Sequence, residues 1–149
     1  MSAESLPSLN LDLARAKRCG YPEVVYGAGK TVAETVTAAQ RLVAAHGRVL
    51  VTRCREEQLA ALQAGLPDGE VWSRCGAFLV GPLEARGGMV LVVSAGTSDE
   101  VVAEEVVVTL RARGAHYQRL QDCGVAGIHR LLSQQELLAQ AQVVVAVAG

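Results

Sequence analysis

The sequence predicts an α/β fold in two parts. Short Val-rich runs alternate with Ala-rich stretches of helical periodicity. The second half, from Met89 on, reads strand–loop–helix–strand–loop–helix–strand, and crossovers of that kind build a parallel sheet with helices on its faces. Ala and Val supply most of the apolar content, and small or β-branched residues suit buried parallel strands closely covered by helices.

Each element has a local reason. Glu23 to Tyr26 reads as a short strand closed by Gly27 and Gly29. Thr31 then opens a helix, because Thr31 and Glu34 have the spacing of a capping box, in which each side chain satisfies a free N–H of the first turn. Val32, Val36, Ala39 and Val43 continue it, and Gly47 is placed to end it. Arg48 to Thr52 is a strand, Glu56 to Ala64 a short helix stopped by Gly65 and Pro67, and Val71 to Val80 strand material broken at Gly76. Gly81 to Gly88 (GPLEARGG) reads as a linker or exposed turn. It separates residues 1–86 from residues 87–149. Met89 to Ser94 (MVLVVS) is an uninterrupted apolar run, read as a central strand.

Val101 to Gly114 (VVAEEVVVTLRARG) has strand-like composition, yet its length predicts a helix. Thr97 and Glu100 repeat the capping-box spacing, Ala103, Val106, Val107 and Leu110 share a face, and Gly114 stops it. His116 to Leu120 is a second strand, Gly127 to Gln140 mostly helix, and Val143 to Val147 a third buried strand. No internal repeat or low-complexity tract is present.

Composition excludes several functions. A chain of 149 residues that is 50% hydrophobic can bury a real core, which excludes disorder. A formal net charge of −1 gives no overall field for nucleic acid or anionic lipid. One Trp, three Tyr and one Phe are too few for a base-stacking surface. No apolar run reaches the roughly 18 residues a membrane helix needs. The N-terminus (MSAESLPSLNLD) carries an early acidic residue and no apolar signal region. Cys19, Cys54, Cys75 and Cys123 are widely spaced, as fits reduced thiols in a cytoplasmic protein. His46, His116 and His129 show no zinc-ligand spacing with them, so no metal site is expected.

In a parallel sheet the ligand lies beyond the carboxyl ends of the strands. Three segments occupy that edge: Gly96 to Asp99, Asp122 to Arg130, and Ala148-Gly149. Gly96-Thr97-Ser98-Asp99 stands between a strand and a helix, where free N–H groups and the helix dipole favour an anion. Gly96 allows close approach, and the Thr97 and Ser98 hydroxyls suit phosphate or ribose oxygens. Asp99 repels a phosphate and suits a ribose hydroxyl or acid–base work. The same residues also suit simple helix capping. Gly127-Ile128-His129-Arg130 offers an imidazole for proton transfer and a guanidinium for bidentate phosphate binding, or else a solvated helix face. Gly29-Lys30-Thr31 is not a Walker motif, because Val24 stands where its first glycine belongs. Lys30, Arg53 and Arg55 suit either an anion or a solvated edge.

AGTSDEVVAEEV, DCGVAGIHRLL and VVVAVAG resemble the carboxylase-type domain of the PurE family. LDLARAKRCGYPEVVYGAGKT, with VTRCREEQ downstream, resembles the LarB family of nickel-pincer cofactor biosynthesis, whose C-terminal domain is PurE-like. The resemblance spans roughly Leu11 to Gly149. It implies a small N-terminal α/β domain followed by the first part of a PurE-like, flavodoxin- or Rossmann-like three-layer domain. It also implies an activity: carboxylation of the pyridinium ring of nicotinic acid adenine dinucleotide with CO2 or bicarbonate as co-substrate. Cleavage of the phosphoanhydride releases AMP, and no tightly bound cofactor is implied.

Carried over by position, Gly96, Thr97, Ser98 and Asp99 hold the ribose-phosphate part of the substrate. His129 matches the histidine, and Arg130 the phosphate-contacting arginine, of the PurE A-H-R segment. Asp99 and His129 are the candidates for proton transfer, and Ala148 and Gly149 begin the loop facing the ring and CO2. Ile128 departs from the PurE alanine and fits the LarB pattern. Both families continue beyond VAG, so a truncated chain is expected, with the family's covalent cysteine outside it. Homo-oligomerisation is a further expectation. The rivals are a PurE-type aminoimidazole ribonucleotide carboxylase or mutase, and a nucleotide-binding module without catalysis.

Overall fold

The computed structural model describes residues 9–149. Most of the N-terminal stretch read for a targeting signal, residues 1–8, lies outside the described residues. The chain divides into two compact units, Met1–Gly81 and Pro82–Gly149. Among the described residues no helix is long and apolar enough to cross a membrane.

The first unit contains α1 (Arg15–Cys19), β1 (Val25–Tyr26), α2 (Val32–His46), β2 (Val49–Thr52), α3 (Glu56–Gly65), β3 (Glu70–Trp72) and β4 (Ala77–Val80). Its sheet has the order β1-β2-β4-β3. β1 and β2 are parallel, with Val25 opposite Val51, and the β3–β4 hairpin is antiparallel to its neighbours. The first strand is shorter than the sequence predicts, starting at Val25 and not at Glu23. The capping box is present: Glu34 N–H donates to Thr31 Oγ1 and Thr31 N–H to Glu34 Oε2. Gly47 ends α2 in the left-handed region at φ 68°, where its lack of a Cβ removes the steric cost. Val25, Ala38, Leu42, Val51, Leu62 and Phe78 meet in the core.

One polar side chain sits inside this unit. Gln58 is fully buried, and its amide nitrogen donates to the carbonyls of Gly27 and Lys30, both at 3.0 Å, and to Thr35 Oγ1 at 2.8 Å. Its carbonyl accepts the Arg55 N–H at 2.8 Å. Both ends of the amide are therefore satisfied, and α3 is fastened to the loop between β1 and α2. Cys54 flanks the same loop: a Cβ on Gly27 would lie 3.1 Å from its sulfur.

The second unit contains β5 (Arg86–Ser94), α4 (Glu100–Arg113), β6 (Ala115–Leu120), α5 (Ile128–Leu132), α6 (Gln135–Gln140) and β7 (Val143–Val147). Its sheet has the order β6-β5-β7, and both pairings are parallel. Met89–Ser94 is thus the central strand, and α4 packs on β5 and β6.

Several sequence readings are corrected. Arg86, Gly87 and Gly88, read as linker, already belong to β5. The Arg86 N–H donates to the Gly114 carbonyl, and the register shifts between Arg86 and Met89, as glycines in a strand permit. The buried residues of α4 include Ala103, Val107, Val108 and Ala112, whereas Val106 and Leu110 are only half-buried. The helix after β6 is two short helices. β7 is no buried strand: it is an edge strand whose Val143 and Val144 are about half exposed, since β5 covers only one of its sides.

Replacing Gln58 by Ala strips donors from three acceptors and leaves a cavity, at a cost of about 2–4 kcal/mol in urea unfolding. A cost below about 1 kcal/mol would show that water replaces the amide. Burial pushes the Cys54 thiol up from its ordinary 9.0 to about 11, against a smaller opposing effect of Arg55. The folded chain then holds this proton more tightly than the unfolded chain does. Stability is expected to fall as pH rises from about 9 toward 11, and Cys54→Ala should flatten that part of the profile.

Candidate functional site

β5, β6 and β7 end level with one another: Val93 lies opposite Leu120 and Ala146, and Ser94 opposite Val147. The segments that follow them consequently leave the sheet side by side, and backbone hydrogen bonds tie them. Ala95 N–H donates to the Val147 carbonyl at 3.0 Å, Cys123 N–H to Ser94 at 3.0 Å, and Gly124 N–H to Ala95 at 2.9 Å. A Cβ on Gly124 would lie 3.1 Å from the Ala95 oxygen, so the close approach of the two loops uses this glycine.

Gly96 is extended at φ −138°, and Thr97–Asp99 forms a turn of 3-10 helix before α4. The expected Thr97–Glu100 capping box is absent. Asp99 takes the inward place instead: it is buried, Oδ2 accepts the Gly96 N–H at 2.8 Å, and Oδ1 accepts the Gly149 N–H at 3.3 Å. One carboxylate thereby joins the loop after β5 to the segment after β7. Thr97 and Ser98 are exposed on the rim. A Cβ on Gly96 would lie 3.8 Å from Asp99 Oδ2 and 3.9 Å from Ser98 Oγ, so a methyl group fits there at ordinary contact distance.

Glu100 points inward because it has three donors to meet. The Ser94 hydroxyl donates to Oε1, while Arg119 Nη2 at 2.6 Å and Gln121 Nε2 at 2.5 Å donate to Oε2. Glu100 is nearly buried and Arg119 one-quarter exposed, so this ion pair is far better shielded than a surface one. Two carboxylates thus occupy the positive end of α4, which favours them there.

In the loop after β6, Asp122 adopts φ 58° and accepts from Arg130 through both its carboxylate and, at 2.9 Å, its carbonyl. His129 and Arg130 are exposed on α5, and the His129 imidazole makes no hydrogen bond among the described residues. Cys123 lies in the same loop with its thiol buried, donating to the Gln121 carbonyl at 3.4 Å. Among the described residues no three His, Cys, Asp or Glu side chains gather as a metal site.

The structure therefore links Gly96, Asp99 and Gly149 directly, brings the Asp122–Gly124 segment to Ser94 and Ala95, and attaches Arg130 to Asp122. Ala148 is exposed beside Gly149. Sequence reasoning missed the Glu100 network. Its signal was present: Ser94 ends an otherwise apolar run, and Arg119 stands in the neighbouring strand. Lys30, Arg53 and Arg55 belong to the first unit, where Arg55 pairs with Glu57 and reaches the Lys30 carbonyl at 3.4 Å.

Glu100→Ala leaves Arg119 without this partner and frees the start of α4. A loss of about 2–4 kcal/mol is expected by chemical denaturation, with Glu100→Gln losing less because it keeps an acceptor. Equal losses for the two variants would show that charge and not hydrogen bonding holds the network.

A family model described as the LarB/PurE-like N-terminal domain matches residues 3–81. That match ends at Gly81, where the first compact unit also ends. The chain is similar to an uncharacterized protein, MJ0165, of Methanocaldococcus jannaschii, with 32% identity over 151 residues. The aligned region covers 95% of this chain and 59% of that relative, so the chain spans about three-fifths of the relative's length. With more than half of its residues matched by the family model, the chain belongs to the LarB family.

Proposed function

We propose that the rim formed by the loops after β5, β6 and β7 binds nicotinic acid adenine dinucleotide and serves its carboxylation on the pyridinium ring, with release of AMP. The observation that carries this reading is the fastening of three loops at one sheet edge, in a chain of the LarB family. Gly96, Thr97 and Ser98 receive the ribose-phosphate part: a hydroxyl-bearing loop with no side chain at Gly96 suits a group that must come close to the backbone. Asp99, with both oxygens engaged by N–H groups, shapes this loop and accepts from a ribose hydroxyl. Arg130 binds phosphate, and Ala148 and Gly149 face the ring and CO2.

The chemistry explains why a fixed rim is useful. A pyridinium carbon attacks CO2 only after a thiolate has added to the ring and made it an enamine-like dihydropyridine. Loss of a proton from the carboxylated carbon then regenerates the dihydropyridine, and expulsion of the thiolate, with cleavage of its carbon–sulfur bond, restores the aromatic pyridinium. Holding ring and CO2 together is a problem of proximity, which anchored ribose and phosphate solve. His129, exposed beside Arg130 on α5, is the group we assign to proton transfer. CO2 or bicarbonate is the co-substrate, and we assign the protein to the cytoplasm as a homo-oligomer. A second reading, nucleotide binding without turnover, is favoured by the engagement of Asp99, which leaves it better suited to hold a loop than to move a proton.

Incubation of a full-length form, which carries the covalent cysteine, with nicotinic acid adenine dinucleotide and labelled bicarbonate should yield AMP and a pyridinium mononucleotide carrying the label. Turnover of aminoimidazole ribonucleotide in its place would contradict the assignment, and calorimetric binding without product would establish the second reading. Arg130→Ala is expected to weaken the dinucleotide by about 1–3 kcal/mol. Gly96→Ala should fold normally, since its Cβ meets its neighbours only at ordinary contact distance, yet weaken binding at least about tenfold by filling the rim. Unchanged affinity would remove Gly96 from the site.

A further inference from the structure

We propose that Asp122 is a positioning residue for Arg130, holding the guanidinium so that its Nε–Nη2 edge faces a phosphate oxyanion. The proposal rests on the reading of Arg130 as the phosphate contact. Arg130 Nη1 donates to the carbonyl oxygen of Asp122 at 2.9 Å and also to its carboxylate oxygen Oδ2. Both acceptors belong to one residue, and both hydrogens of Nη1 are thereby used. Nε and Nη2 have no acceptor among the described residues. Together they form a two-pronged edge, the geometry that matches two oxygens of a phosphate.

A second contact fixes the plane of the group. A Cβ on Gly127 would lie 2.9 Å from Nε and 3.1 Å from both Cζ and Nη2. The guanidinium thus lies against the Cα of Gly127, in space that a methyl group would take. The backbone of Gly127 is at φ −124°, outside the left-handed region, and the nearest atoms an alanine Cβ would meet there are those of the arginine. Asp122 itself is at φ 58°, a conformation that Asp and Asn tolerate better than other side-chain-bearing residues.

The pair is a poor candidate for a stabilising role. Its side chains are 48% and 66% exposed, and such ion pairs contribute little to folding. Its effect falls on the ligand. A long arginine held in one orientation loses less freedom on meeting phosphate than a mobile one. Water screens the repulsion between the Asp122 carboxylate and the incoming anion, because the carboxylate is bound at Nη1, away from the free edge.

The test is calorimetric, on the full chain, with two probes: the pyridinium mononucleotide half of the proposed substrate, and the same riboside without phosphate. Asp122→Ala should weaken the mononucleotide about five- to tenfold and leave the riboside unchanged. Asp122→Asn keeps an acceptor and the backbone preference, and should restore most of the loss. Gly127→Ala should mimic Asp122→Ala with Asp122 intact. In an Arg130→Ala background, Asp122→Ala should add nothing.

Equal weakening of both probes by Asp122→Ala would make Asp122 merely structural and overturn the proposal. Tighter mononucleotide binding would make Asp122 a competitor for Arg130, with the same result. If Arg130→Ala discriminates the probes while Asp122→Ala does not, the positioning role alone fails. If Arg130→Ala does not discriminate them, the phosphate reading of Arg130 fails, and the proposal with it.

Discussion

The second unit depends on the carboxylate of Glu100. It stands at the first turn of α4 and collects a hydroxyl from the end of β5, a guanidinium from β6 and an amide from just beyond β6. A charge withdrawn from water in this way is tolerable only when its lone pairs are filled, and here they are. The consequence is geometric. The start of the helix, the end of the central strand and the exit of β6 are fixed to one point, so the loops leaving β5 and β6 keep a constant spacing. Asp99, one residue earlier, extends the arrangement to the segment after β7.

The first unit uses the same device with a neutral group. Gln58, in the first turn of α3, reaches back to the carbonyls that close the loop before α2. In each unit a polar side chain from the start of a helix is buried beneath a loop at the carboxyl end of parallel strands. The cost of burying it is met by saturating its hydrogen bonds, and the return is a loop with one conformation. The Thr31–Glu34 capping box and Gly47 complete α2 by strictly local means.

Those local means were legible in the sequence, and the long-range ones were not. Thr31 with Glu34, the stop at Gly47, the apolar run of β5 and the stop at Gly114 each carry their signal within a few residues. Parallel pairing followed from the alternation of strands and helices. Thr97 and Glu100 show the limit: their spacing fits a capping box, but Glu100 is claimed by Arg119 and Gln121, far along the chain, and spacing carries no information about them. β7 shows another, since an apolar run of five residues reads as buried whether or not a neighbour covers both its sides. Of the site, the co-location of Gly96, Asp99 and Gly149 was legible from topology. The attachment of Arg130 to Asp122 was not, because it depends on the left-handed backbone at Asp122.

The proposed function holds a nucleotide between the loop of Thr97 and Ser98 and the segment that runs from Asp122 to Arg130. The most direct measurement is a titration of the isotope-labelled chain with nicotinic acid adenine dinucleotide, followed by backbone amide resonances. The account predicts that Gly96–Asp99 and Asp122–Arg130 respond together, along one saturation curve. A response confined to one of these loops, or to neither, would contradict it.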